Sequence, residues 1–146
     1  MHGLDVKHRH LPGNRPLSWV LAHDICARFL DGKMVVVTDK PFVMLSVVKK
    51  QWASMLRKVQ TERAKTLNAV KIQELSKQFV AMQNLKFSAK LPEDMLEADV
   101  TFATAENLAR IAPECWTMFI SYDFPKEQLY LMTAWMPMRG VVVIYG

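Results

Sequence analysis

Glycine is scarce in this sequence, with 5 among 146 residues. No GxGxxG or P-loop spacing occurs, which argues against a glycine cradle for a cofactor phosphate, and no cofactor is expected. Cysteine is scarcer still. Cys26 and Cys115 are too few for a disulfide framework and lack metal-ligand spacing. They read as small buried hydrophobes of a reducing cytosol. All four histidines, His2, His8, His10 and His23, fall in the first 23 residues. The longest run without a charge, Gln128 to Met138, has 11 residues, whereas a membrane-spanning helix needs about 20. The first residues are polar, His-rich and interrupted by proline, unlike a secretory signal. These absences lead us to expect a cytoplasmic protein with no membrane partner.

What is present suits a packed domain. The chain is 51% hydrophobic and 23% charged, enough apolar material to exclude intrinsic disorder for most of it. A chain of this length makes one domain and buries roughly 68–70% of its unfolded surface. We expect a flexible arm over residues 1–16, where Pro12, Gly13 and Pro16 break any period, followed by a single domain over 17–146.

Charge is unevenly placed. The total is +5, but residues 1–48 carry +2, residues 49–90 carry +8, and residues 91–146 carry −5. The middle segment holds ten Lys/Arg against two acids, Glu62 and Glu74. Such asymmetry calls for a polyanionic partner, or for an internal match between the middle and the acidic end.

Apolar spacing then places the elements. Leu17 to Leu30 reads as a helix that Ser18 can cap and Gly32 stops. Met34 to Thr38 is a β-branched run and reads as a buried strand. Pro41 opens a second helix, with Leu45, Val48, Trp52, Met55 and Val59 spaced 3, 4, 3, 4. Ile72, Leu75, Phe79 and Met82 continue the pattern one residue out of register. That offset is not a coiled-coil stutter, so the chain breaks, with Asn68 as the cap of the second piece. The spacing predicts helices over 41–63 and 69–85, folded as a pair.

Residues 88–99 read as a linker, and Asp99–Ala103 as a strand. Thr104 caps a helix over Ala105–Ile111. The remainder reads as a β-meander: Cys115–Tyr122, a turn over 123–127, Leu129–Met136, a turn ending at Gly140, and Val141–Tyr145 as the closing strand. The expected fold is α+β, with the helical pair and an N-terminal helix packed on one face of a mostly antiparallel sheet.

Function is sought in the basic helices. With Leu45 and Val48 as heptad positions a and d, Lys49 and Arg63 fall at e. Lys50 and Arg57 fall at f, and Lys58 and Lys65 at g. Lys71 and Lys77 take positions g and f of the next helix. Solvated helix faces usually mix signs, because opposite charges at i,i+4 help and like charges cost a few tenths of a kcal/mol. A stripe of one sign fits phosphates, whose neutralisation releases counterions. Lysine and arginine as point charges contact the backbone without reading bases. The expectation is therefore a non-catalytic nucleic-acid-binding protein using Lys49, Lys50, Arg57, Lys58, Arg63, Lys65, Lys71 and Lys77, with Arg9 of the N-terminal arm assisting. The competing reading is a solvated basic face answered by the acids of 91–127.

Two other classes stay open. Met and Trp cluster near the C-terminus, and Trp135–Met138 as an exposed patch would pair protomers edge to edge through the C-terminal strands. That is an interaction or oligomerisation module without nucleic acid. A small hydrolase or ribonuclease would use His8, His10 and Arg9 as acid, base and phosphate clamp. The adjacent His23-Asp24 pair has no further ligands in sequence, and a helical histidine is more often structural than metal-bound.

Overall fold

The computed structural model describes residues 3–90, 97–108, 115–121 and 139–146. Along the chain these form β1 (Gly3–Arg9), α1 (Leu17–Arg28), β2 (Met34–Val37), α2 (Pro41–Lys65) and α3 (Ala69–Gln83). Then follow β3 (Phe87–Ser88), β4 (Val100–Ala103), α4 (Ala105–Leu108), β5 (Thr117–Ile120) and β6 (Arg139–Tyr145). The helical content and the break between the paired helices agree with the apolar spacing.

Local chemistry explains the helix ends. The Asn68 side chain accepts hydrogen bonds from the backbone N–H groups of Val70 and Lys71 at 3.0 and 3.1 Å, so it caps α3. Thr104 Oγ1 accepts from the Asn107 N–H at 3.2 Å and caps α4. Ser18 does not cap α1. That place belongs to Pro16, whose carbonyl accepts from Trp19 and Val20. After α1, a short 3-10 turn over Phe29–Asp31 ends at Gly32, whose φ of 137° lies in the region that favours glycine.

The sheet is not antiparallel. Its order is β1-β6-β5-β2-β4-β3, and all five pairings among the described residues are parallel. The meander expectation is therefore overturned: β5 and β6 are neighbours but run the same way, Thr117 opposite Val141 through Ile120 opposite Ile144. The physical reason is burial. Every residue of β2, β4 and β5 is buried, and strands covered on both faces belong to parallel sheets. The alternation over 115–122 had suggested one wet face, but Met118 and Ile120 are buried on one side and Phe119 on the other. The strand expected over 129–136, the turn over 123–127, and the Trp135–Met138 patch lie outside the described residues.

Two sets of side chains fill the two faces. Val20, Leu21 and Ile25 of α1, with Val48 and Trp52 of α2, pack on Met34, Val36, Phe102, Phe119, Val143 and Tyr145. The opposite face gathers Val35, Val37, Ala103, Met118, Ile120 and Val142, with Ala105 of α4 against them. The order explains the split. The steps β1 to β2 to β3 cross the sheet in one direction, and those from β3 through β6 return. Right-handed crossovers put opposite travel on opposite faces.

The N-terminal segment also differs from expectation. Residues 3–9 are not an arm but an edge strand, paired with β6 from Gly3 opposite Arg139 to Arg9 opposite Tyr145. Asp5, Lys7, His8 and Arg9 give this edge the charge that guards against further pairing, and that same charge hid the strand from an apolar-period reading. The closing strand expected over Val141–Tyr145 is present as β6, and it lies between β1 and β5. At its start Gly140, with φ of 114°, passes so close to the Trp116 carbonyl that a Cβ would collide with it. Among the described residues no helix is long and apolar enough to cross a membrane.

Candidate nucleic-acid interface

The basic residues ride on a rigid hairpin. Val48, Trp52, Met55 and Val59 of α2 and Leu75 and Met82 of α3 are buried. Trp52 is the anchor. Its Nε1–H donates to the Met82 carbonyl at 2.9 Å, tying α2 to the end of α3. Its ring meets Phe29 and Phe87 edge-on, with centroids 6.0 and 5.5 Å apart. Burying such an aromatic body and satisfying its N–H fixes the helix rotation, and the rotation decides which residues face water.

Those residues are the cations. Lys49, Lys50, Arg57, Lys58 and Lys65 of α2, and Lys71 and Lys77 of α3, are all exposed. Among the described residues none of these seven forms an ion pair; the pairs seen there are Lys7–Asp5 and Arg9–Asp24. Glu62 and Glu74 are exposed on the same hairpin but engage none of them. Of the eight acids over 91–127 in the competing reading, Glu93, Asp94, Glu114, Asp123 and Glu127 lie outside the described residues, and Glu97 and Glu106 pair with none of these cations. Asp99 accepts the Lys86 backbone N–H at 2.8 Å instead. On a rise of 1.5 Å per residue the cations from Lys49 to Lys65 span about 24 Å.

Arg63 stands apart. It is partly buried, its guanidinium lies 5.8 Å from the centre of the Phe79 ring, and it reaches Ser76 Oγ at 3.5 Å. It braces the hairpin as well as adding charge. Arg9 is not brought to this face. It sits on β1, at the opposite edge of the sheet from β3, with its Nε 2.9 Å from Asp24 Oδ2.

The hairpin also exposes apolar groups. Leu67, in the turn between the helices, is 99% exposed, and Val70 and Val80 of α3 are more than half exposed. Leu67 lies in the chain between the exposed Lys65 and Lys71.

The described histidines, His8, His10 and His23, form no shared cluster. His23 Nδ1 lies 2.7 Å from the Trp19 carbonyl and its ring stacks on Trp19 at 3.9 Å, with Arg15 over the other ring at 4.6 Å. Its neighbour Asp24 engages Arg9 and Tyr145. His8 and His10 are exposed. Among the described residues no group of three or more His, Cys, Asp or Glu could hold a metal ion. Burial pushes the Cys115 thiol up to about 11 and raises Cys26 as well, so neither is an activated nucleophile at neutral pH.

One cluster escapes the sequence. Tyr145 Oη donates to Asp24 Oδ2 at 2.6 Å, across 121 residues, and Arg9 Nε meets the same oxygen. Burial, then the hydrogen bond and negative charge of Asp24, hold the Tyr145 phenol far above its ordinary range. The one local signal for it is the i,i+4 spacing of Asp24 and Arg28 on α1.

No protein-family model and no curated protein matches the chain.

Proposed function

We propose that the α2–α3 hairpin binds the phosphate backbone of nucleic acid, without catalysis. Lys49, Lys50, Arg57, Lys58, Lys65, Lys71 and Lys77 are the contacts, and Arg63 supports the hairpin while adding charge. The observation that carries this reading is the exposure of these seven cations with no carboxylate paired to any of them among the described residues. Repulsion along such a face is relieved by an external polyanion. A duplex segment of about 24 Å carries roughly fourteen phosphates on its two strands, so the ligand's charge density exceeds that of the helix.

The test is oligonucleotide binding at fixed salt by wild type and Lys50→Glu/Arg57→Glu. The reversal removes two outward-facing contacts and adds repulsion. A loss of at least about tenfold in affinity is expected; equal affinity would count against this face.

The nearly full exposure of Leu67, with the exposed Val70 in the first turn of α3, favours a second reading in which the hairpin tip docks on another protein. Leu67→Asp separates the two. It should leave nucleic-acid affinity within a few-fold but abolish an apolar docking contact.

A further inference from the structure

A second basic feature lies at the other edge of the sheet. Lys7, His8 and Arg9 of β1, Asp24 and Arg28 of α1, and Val143 of β6 line a cavity of about 250 Å³. That is below the 300–1,000 Å³ typical of pockets for drug-sized ligands, so it suits a small group.

Its charge is unbalanced. Three cations, Lys7, Arg9 and Arg28, share one carboxylate, that of Asp24. Asp24 Oδ2 is already engaged, receiving Tyr145 Oη at 2.6 Å and Arg9 Nε at 2.9 Å. Lys7 reaches only Asp5, at 3.7 Å and with both side chains at least half exposed, a pair of little worth. Arg28 lies one turn beyond Asp24, is partly buried, and forms no hydrogen bond or ion pair with any described residue. Cations outnumber carboxylates by two among the lining residues, and by one when the exposed Asp5 beside Lys7 is counted; either excess suits a phosphate anion, and guanidinium forks bind its oxygens through paired hydrogen bonds.

We propose that this cavity binds a phosphate monoester. Arg28 and Arg9 hold the oxygens, Lys7 adds charge, and Asp24 keeps Arg9 in place. The ester is either that of a small metabolite or the terminal phosphate of an oligonucleotide. The site stands apart from the α2–α3 face and does not depend on it.

Inorganic phosphate, followed by calorimetry and by NMR of the arginine Nε–H signals, tests the site. Wild type should show saturable shifts at Arg9 and Arg28. Arg28→Gln removes no existing hydrogen bond, so it keeps the fold while weakening phosphate at least about tenfold. Lys7→Gln should weaken it less. Lys50→Glu/Arg57→Glu should bind phosphate as wild type does. Absent shifts in wild type, or equal affinity in Arg28→Gln, overturn the assignment, as does loss of phosphate in the α2 variant alone. The source is then read in the α2 variant background. Preference for an end-phosphorylated oligonucleotide over its hydroxyl twin identifies a strand end. Preference only for glycerol phosphate over glycerol identifies a small ester. Preference for neither contradicts the site.

Discussion

The α2–α3 hairpin and the β1–α1 corner are both rich in cations, yet they use them differently. On the hairpin, Lys50, Arg57, Lys58 and Lys65 stand in water without partners among the described residues. At the corner, Arg9 is held by Asp24, which also takes the Tyr145 hydroxyl, while Arg28 beside them has no hydrogen-bond or ion-pair partner among the described residues. One region carries charge for an extended partner, and the other organises charge around a cavity. The lesson is that a count of Lys and Arg says little until burial and pairing are known. The ten bases of 49–90 include Arg63, which leans on Phe79, while Arg9 belongs to another edge altogether.

Substitutions break this contrast in graded steps. Trp52→Ala should have the largest effect, about 3–5 kcal/mol in urea unfolding, because it empties the contact between α2, Phe29 and Phe87 and removes the indole hydrogen bond to the Met82 carbonyl. Asp24→Ala comes next, at about 2–4 kcal/mol, since it leaves the buried Tyr145 hydroxyl unsatisfied and Arg9 unpaired. Lys58→Ala/Lys65→Ala sits at the other extreme. Both side chains are exposed and have no ion-pair partner among the described residues, so stability should stay within about 0.5 kcal/mol, as for surface changes in general.

Alkaline pH sharpens the contrast further. The folded phenol of Tyr145 lies above its unfolded value. Between the two values the native state holds a proton that the unfolded chain has released. The contribution is therefore whole below about pH 10 and is lost as pH rises above it. Stability should fall by up to about 1.4 kcal/mol per pH unit for this group. The Cys115 thiol, raised from 9.0 to about 11, adds a decline that begins earlier and levels off. Urea midpoints measured from neutral to strongly alkaline pH should show a shallower high-pH slope in Tyr145→Phe, and no change of slope in Lys58→Ala/Lys65→Ala.

Local features were legible in the sequence and distant ones were not. The 3, 4, 3, 4 spacing placed α2, the register break located the turn, and Asn68 and Thr104 announced their caps, because each depends on neighbours a few residues away. Strand direction depends on partners far along the chain. Val36 lies between Phe102 and Phe119, and nothing in a β-branched run says which way its neighbours point. Burial on both faces was the available clue, in the Val35–Val37 and Val141–Val143 runs, and the alternation over 115–122 obscured it. The charges of β1 masked a strand as an arm. For the site, helical spacing brought the stripe into view. It could not show that Phe79 draws Arg63 inward, or that Tyr145 returns to Asp24.

The salt dependence of binding reaches the central claim most directly. The slope of log affinity against log salt counts the cations that displace counterions. Neutralising four of them in Lys50→Gln/Arg57→Gln/Lys58→Gln/Lys65→Gln should reduce its magnitude by about 3. An unchanged slope, with affinity intact, would mean that the hairpin's exposed charge meets no phosphate.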